Sequence, residues 1–183
     1  MFKKIQQLDE FVLRKIKGLH SHTNNRIMAV ITYLGTGGLV WFAMTIPMII
    51  SRQMRAAGLN ILLSLFITWL VGEITIKRIV GRVRPSEQLP EDEQIVKRPK
   101  YYSFPSGHTA SSFSVVGVTL LRCPVGIYLP VIVLASLIGF SRVYLRVHYF
   151  SDVAVGVLLG LACGLSSVAL FNVLVINVFG FAI

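Results

Sequence analysis

The chain has 183 residues, of which 54% are hydrophobic and 14% are charged, and its mean hydropathy is +0.70. A soluble domain usually carries about 25% charged residues, so this composition excludes a disordered chain and leaves too few polar residues to cover a soluble enzyme. The net charge of +10 would suit a protein that binds nucleic acid. However, the basic residues lie between apolar runs, where they would contact lipid headgroups or phosphate. We therefore expect an integral membrane protein and no nucleic-acid partner.

The first predicted element, within residues 1–26, is an amphipathic helix. Its charged residues fall largely outside the apolar positions, which recur at steps of three or four: Phe2, Ile5, Leu8, Val12, Ile16 and Leu19. This period is that of one helical face. Such a helix lies on the membrane surface or packs on a polar face of the protein itself, and both interpretations stay open here. The segment lacks the apolar core of a cleavable signal peptide.

Residues 27–183 are predicted to form one transmembrane domain of five helices, which makes the fold class all-α. Because a lone segment in hydrocarbon must satisfy its own backbone hydrogen bonds, each apolar run should be a helix, and the second should continue to residue 84. The runs are 27–51, 56–72, 101–121, 123–141 and 153–183. In the last run, Gly156, Gly160 and Gly164 have a spacing that lets another helix approach closely.

The long connection over residues 86–104 is predicted to be an interfacial loop near the functional site. It holds four of the eight acidic residues. Glu73 and Asp152 are the acidic residues that remain near the spans, and ionisable groups there are costly and therefore functional candidates. Cys123 and Cys163 fit no metal-binding or disulfide pattern and are interpreted as packed thiols.

Lys77 and Arg84 are the first candidate phosphate ligands. They are seven residues apart, so on a helix they share one face, two turns apart. The guanidinium fork matches phosphate oxygens, and the lysine ammonium adds a mobile charge. Basic residues at a helix end also commonly face headgroups alone. Pro85 is predicted to end this helix.

Residues 105–108, with the sequence Pro-Ser-Gly-His, begin at the third apolar run and are predicted to form a helix N-terminus. Free backbone N–H groups bind anions there, Gly107 lets the backbone come close, and Ser106 adds a hydroxyl donor. His108 could protonate a leaving oxygen. A lone interfacial histidine is more often a hydrogen-bonded structural residue.

His148 and Asp152 are four residues apart and are expected to be neighbours on one helical face. A carboxylate that holds one ring nitrogen leaves the other nitrogen nucleophilic, although such a pair alone is more often a surface hydrogen bond. With Arg142 added, the chain offers three cations, a helix N-terminus, two histidines and one carboxylate, and no metal-ligand cluster. This set suits phosphoryl transfer through a phosphohistidine.

Three segments resemble, in the same order, the signature motifs of the type 2 phosphatidic acid phosphatase superfamily. Every fixed position matches: Lys77-x6-Arg84-Pro85, Pro105-Ser106-Gly107-His108 and Ser141-Arg142-x5-His148-x3-Asp152. Three ordered motifs are far more specific than one short motif.

The resemblance implies dephosphorylation of a membrane lipid without a metal ion or another cofactor. By motif position it makes His148 the nucleophile, Asp152 its orienting carboxylate and His108 the general acid. It assigns the binding of phosphate, or of vanadate as its mimic, to Lys77, Arg84, Arg142, Ser106 and Gly107.

The family core is commonly six spans, whereas this chain shows five and an amphipathic N-terminal helix. The departure leaves the route of substrate access and the oligomeric state open. With five spans, the motifs share a side with residues 1–26, and that side carries 15 Lys and Arg against 3 on the other. The positive-inside rule places such a side in the cytoplasm, whereas the bacterial family members mostly face outward.

The expected substrate is a lipid phosphate or pyrophosphate of the cell membrane. Phosphatidic acid, phosphatidylglycerol phosphate and undecaprenyl pyrophosphate all present a terminal phosphate at the interface, and the chain's small size resembles family members that act on the polyprenyl carrier. The rival class is a non-catalytic protein that binds lipid phosphates. The His148–Asp152 pair argues against it, because binding alone needs only cations.

Overall fold

The computed structural model describes residues 2–179, and every regular element in that range is helical, which confirms the all-α class. The predicted last span extends to residue 183, and its final four residues lie outside the described range. The α-helices are α1 (Phe2–Lys17), α2 (His22–Leu34), α3 (Leu39–Ile50), α4 (Arg55–Thr68), α5 (Lys77–Val80), α6 (Gly107–Arg122), α7 (Val125–Tyr144) and α8 (Phe150–Phe179).

Within the described range, three helical stretches are long and apolar enough to cross a membrane: Arg55–Val80, Val125–Tyr144 and Phe150–Leu174. The α2–α3 pair gives a fourth if its two bent halves count as one span. The third predicted span is not among them, because its helix, α6, begins six residues later than expected and has 16 residues. At 1.5 Å per residue α6 is about 24 Å long, less than the ~30 Å hydrocarbon core.

The first predicted span is broken in the middle. Helices α2 and α3 meet at an angle of 47°, and the backbone between them passes through Gly37 and Gly38 with φ of 60° and 73°. Only glycine adopts this left-handed region at little cost, so the two glycines permit the break. The apolar run gave no sign of it, because hydropathy does not record backbone direction.

The second predicted span ends earlier than residue 84. The helix widens into a π-helical turn over Trp69–Ile76, continues as α5, and stops where Gly81 takes a φ of 61°. Arg84 therefore lies in extended backbone beyond the helix, and the predicted helical face shared by Lys77 and Arg84 is wrong. Their side chains meet through the fold of the loop instead.

Helix α6 lies at the centre of the bundle, against α4, α7 and α8. The three glycines of α8 contact the backbone of α6 closely. A Cβ added at Gly160 would meet the carbonyl oxygen of Ala110, and one at Gly164 would meet the carbonyl oxygen of Ser114. The small-residue spacing seen in the sequence therefore seats α8 on α6. This close contact fixes the N-terminus of α6 beside the start of α8, where the motifs converge.

Helix α1 packs on the bundle at the end of α7 and the start of α8. Ile16 is buried there and Val12 packs against the same cluster, while Leu8 and Phe11 are 48% and 50% exposed. Of the two interpretations left open above, the structure thus shows contact with the protein along one face. An adjacent apolar face stays uncovered at the same end of the bundle.

Candidate active site

Residues of all three motifs meet at one end of the bundle, around a cavity of about 660 Å³. Four separate elements contribute, namely α5 with the loop after it, the N-terminus of α6, the end of α7 and the turn before α8. Six of the eight predicted site residues line the cavity: Lys77, Arg84, Gly107, His108, Arg142 and His148. Ser106 and Asp152 are fully buried just behind its wall.

His148 is held with one ring nitrogen ready to accept a hydrogen bond. Its Nε2 lies 2.9 Å from a guanidinium nitrogen of Arg84. A guanidinium only donates, so Nε2 carries the lone pair and Nδ1 carries the hydrogen. Burial lowers the pKa of His148 well below its usual value, and the nearby positive charge of Arg84 lowers it further. The neutral imidazole is therefore the stable form, and it is the form that can act as a nucleophile.

Asp152 faces His148 without a direct hydrogen bond. Its Oδ2 lies 3.6 Å from Nδ1 of His148, because His148 sits in the turn before α8 and not on the helix itself. That oxygen instead accepts hydrogen bonds from the Ser103 hydroxyl and, at 2.9 Å, from the backbone N–H of Tyr149. The carboxylate is thus fixed by its surroundings and stands as a charge beside the ring.

Two arginines present buried cationic groups to the cavity. Arg84 donates to the carbonyl oxygens of Tyr101 and Val147, so its fork is clamped in one orientation. Arg142 donates to the hydroxyl of Thr32 at 2.5 Å, and its buried Nε has no hydrogen-bond partner among residues 2–179. A buried unpaired donor is costly, and an anion in the cavity would relieve that cost.

The third cation, Lys77, is paired with Glu73. Their side chains are 2.5 Å apart, and Lys77 is almost fully buried while the Glu73 side chain is about one third exposed. The Glu73 carboxylate also lies against Gly107, where a Cβ on that residue would collide with it. Glu73 therefore occupies the space between a cation and a helix N-terminus, the setting that suits a phosphate oxygen.

The N-terminus of α6 supplies backbone donors and the second histidine. The first N–H groups of a helix have no partner within it and point toward the cavity end. The Ser106 hydroxyl hydrogen-bonds the Thr109 hydroxyl at 2.9 Å, so in this structure it supports the helix start. His108 lies with Nε2 3.4 Å from the Thr36 hydroxyl, which belongs to the break between α2 and α3.

Several residues of the site were missed by sequence reasoning. Thr32 and Thr36 sit inside an apolar run, and a hydroxyl there carries no signal of its contacts with Arg142 and His108. Asp9 gave a clearer sign, because it lies seven residues before Ile16 and thus on the buried face of an amphipathic helix. Arg82 is a further cation between the two motif positions Lys77 and Arg84.

Apolar side chains form much of the remaining cavity wall. Leu62 and Leu65 line its inner part, and Phe42, Phe66 and Trp69 line its outer part while being 46–57% exposed on the surface of the helices. One cavity thus joins a cationic end to an apolar face of the bundle. It has the shape and polarity for a ligand with a phosphate head and a hydrocarbon chain.

We predict that Glu73→Gln strengthens the binding of inorganic phosphate or vanadate about tenfold. The substitution removes a carboxylate that repels an anion and neutralises Lys77, and a partly exposed charge a few ångströms away contributes on the order of 1 kcal/mol. Calorimetric titration of the purified protein measures the change, with Glu91→Gln in the exposed part of the loop as the matched control. Weaker binding by Glu73→Gln would instead show that Glu73 is needed to hold Lys77 in place.

Comparison with known proteins gives matches across most of the chain. Residues 57–175 match the family model described as the PAP2 superfamily. An undecaprenyl-diphosphatase of Sulfolobus acidocaldarius is 30% identical over 138 residues, which are 75% of this chain and 66% of that protein. This chain therefore spans slightly less than two thirds of that relative's length.

Two solved structures share the fold. The crystal structure of Aquifex aeolicus LpxE has a TM-score of 0.75 and 28% identity, and the match covers 86% of this chain and 92% of that one. The transmembrane PAP2 type phosphatidylglycerolphosphate phosphatase from Bacillus subtilis has a TM-score of 0.74 and 27% identity, with 91% and 86% covered.

Proposed function

The chain belongs to the PAP2 superfamily, and from that premise we propose that it removes a terminal phosphate from a lipid phosphate or lipid pyrophosphate. The reaction proceeds through a phosphohistidine and needs no metal ion. The observation that carries the proposal is the cavity itself: three cations and two histidines line its polar end, and His148 presents an unprotonated Nε2 there. Apolar side chains line the end that faces the bilayer.

In the first half-reaction, the substrate phosphate enters among Lys77, Arg84 and Arg142. One of its oxygens replaces Nε2 of His148 as the acceptor for an Arg84 N–H, which frees the ring nitrogen while the fork stays in place. Nε2 of His148 then attacks phosphorus as the bond to the leaving oxygen breaks. In the empty site, burial and then the charge of Arg142 lower the pKa of His108 to about 2. The negative charge of the bound phosphate offsets these cations, so His108 takes up a proton on substrate binding and gives it to the leaving oxygen. The three cations neutralise the charge that spreads over the equatorial oxygens, which is the main work of a phosphoryl-transfer site.

In the second half-reaction, a water molecule takes the place of the departed lipid. His108, now neutral, accepts a proton from this water as its oxygen attacks phosphorus. The bond from phosphorus to Nε2 breaks, and inorganic phosphate is released. His148 and His108 return to their starting protonation states, so the cycle is balanced.

The lipid chain is expected to lie along the apolar wall. Phe66 and Trp69 are both part of the cavity and more than half exposed on the helix surface. A chain in the bilayer can therefore enter sideways without leaving the hydrocarbon. The two substrate classes favoured by the relatives are a polyprenyl pyrophosphate, after the Sulfolobus protein, and phosphatidylglycerol phosphate, after the Bacillus protein.

The distribution of Lys and Arg supports an active site on the cytoplasmic side. Helix α1, the loop after α5 and the turn before α8 lie at the cavity end of the bundle, and that end carries 15 Lys and Arg against 3 at the other. Cytoplasmic loops carry such an excess. Residues that bind phosphate account for only three of the 15.

The test is phosphate release by the purified protein in detergent with excess EDTA. The substrates are phosphatidic acid, phosphatidylglycerol phosphate and undecaprenyl pyrophosphate, and His148→Ala is the matched inactive protein. We expect release by the wild type from at least one lipid, with the same rate after metal removal. Tight lipid-phosphate binding without any release would favour the non-catalytic alternative, and activity restored only by a divalent metal would overturn the mechanism.

A further inference from the structure

A carboxylate of the N-terminal helix is buried beside the candidate active site. Asp9 of α1 has no exposed surface. Its oxygens accept hydrogen bonds from the backbone N–H of Ser151 at 2.9 Å, from the Ser151 hydroxyl at 2.6 Å and from Arg82 at 2.7 Å. A buried charge persists only when it is paired in this way, so Asp9 ties α1 to the first turn of α8.

Arg82 connects Asp9 to Asp152. One guanidinium nitrogen donates to Asp9, and the other donates to Asp152 at 2.6 Å and to the Ser151 hydroxyl at 2.7 Å. The guanidinium also lies 4.0 Å from the ring centre of Tyr149, which holds it in place from a further side. Outside α1, the groups that the Arg82 guanidinium hydrogen-bonds or stacks on within residues 2–179 belong to the four residues that follow His148.

Arg82 and Asp9 do not line the cavity, in contrast to Lys77, Arg84 and Arg142. They can therefore act on a bound phosphate only through the residues between. Asp152 is the direct link, since its Oδ1 is bound by Arg82 and its Oδ2 faces Nδ1 of His148 at 3.6 Å. Among residues 2–179, no well-formed hydrogen bond holds Nδ1 of His148, so the position of the ring depends on where the Asp152 carboxylate and this turn are kept.

We propose that Asp9 and Arg82 are positioning residues for the nucleophile, and that α1 is thereby a working part of the catalytic centre. The proposal rests on the function proposed above. Arg82 joins two buried carboxylates by the planar fork that suits bidentate pairing. Asp9 fixes the outer end of this connection, and Asp152 transmits it to His148. When a residue that orients a reacting group without touching the substrate is replaced, activity commonly falls by about 10- to 100-fold.

The test compares Asp9→Asn, Arg82→Gln and the double variant with wild type. Glu10→Gln is the matched control, because Glu10 is the next residue of α1, is exposed, and within the described part of the chain accepts a side-chain hydrogen bond from Gln6 alone. The measurements are kcat and KM on the best lipid of the panel, with kcat expressed per vanadate-binding site. That normalisation removes any loss that comes from unfolded protein.

We expect Asp9→Asn to lower kcat about 10-fold and Arg82→Gln about 100-fold, with KM and vanadate affinity within about threefold of wild type. The double variant should be no worse than Arg82→Gln, since both replacements break one connection. Glu10→Gln should match wild type. Equal kcat per site in both single variants, or a loss confined to KM or to melting temperature, would overturn the proposal and leave Asp9 as a structural anchor.

A second measurement does not depend on turnover. In protein labelled with ¹⁵N-histidine, the ring signals of His148 are identified by their loss in His148→Ala. Asp9→Asn should move those signals, and Glu10→Gln should leave them in place. If wild type releases no phosphate, the proposed function fails while this shift still tests the positioning role. Unmoved ring signals together with unchanged kcat would reject it.

Discussion

Replacement of His148 by alanine is expected to lower kcat for every lipid phosphate by a factor of about 10⁴ or more. The reason is that in the proposed mechanism His148 forms the bond to phosphorus, and its Nε2 lies in the cavity 2.9 Å from the Arg84 guanidinium, as an acceptor. Phosphate release from purified wild type and variant measures the effect. His22→Ala, which removes an exposed histidine of α2, is the matched control and should keep full activity.

Two further measurements separate loss of chemistry from loss of structure. Vanadate binding by His148→Ala should persist, weakened by the missing fifth ligand, because the three cations remain in place. Rapid quenching of wild type with ³²P-labelled substrate should trap a phosphoenzyme that is stable in base and labile in acid. A trapped phosphoenzyme in His148→Ala, or turnover above about one thousandth of wild type, would assign the nucleophile elsewhere.

The second large effect concerns His108. Replacing it with asparagine should lower kcat for lipid substrates by about 10²- to 10⁴-fold, because the leaving alkoxide then departs without a proton. An aryl phosphate such as p-nitrophenyl phosphate has a leaving group that is stable as an anion. With that substrate the same variant should lose only a small part of the phosphorylation rate.

The contrast between the two histidines is the decisive result. His148→Ala should fail with both kinds of substrate, whereas His108→Asn should recover phosphorylation with the activated one, seen as a burst of p-nitrophenol. Thr36→Val, which removes the hydroxyl near Nε2 of His108, should resemble a weak form of His108→Asn. Equal losses of His108→Asn on the lipid and on the aryl phosphate would show that His108 serves binding and not proton transfer.

The residues proposed to carry the chemistry could be selected from the sequence because each motif is short and local. Lys77, Arg84, His108, Arg142 and His148 do line one cavity. Their spacing correctly indicated which residues line the cavity, but it did not indicate the backbone conformation that positions each side chain. Arg84 lies beyond the end of its helix and His148 before the start of α8, so neither uses the helical face that the spacing suggested.

The composition and the apolar runs by themselves determined that this is a helical membrane protein. In a bilayer each spanning segment must form its own backbone hydrogen bonds, so each span is visible in the sequence as a local apolar run. They also determined which residue types were available for phosphate chemistry. Only the tertiary structure decided that α1 reaches the site through Asp9 and Arg82, that Glu73 lies against Gly107, and that Thr32 contacts Arg142 and Thr36 contacts His108. These contacts join residues that are far apart in the chain, and their energies depend on distances and burial that no local pattern encodes.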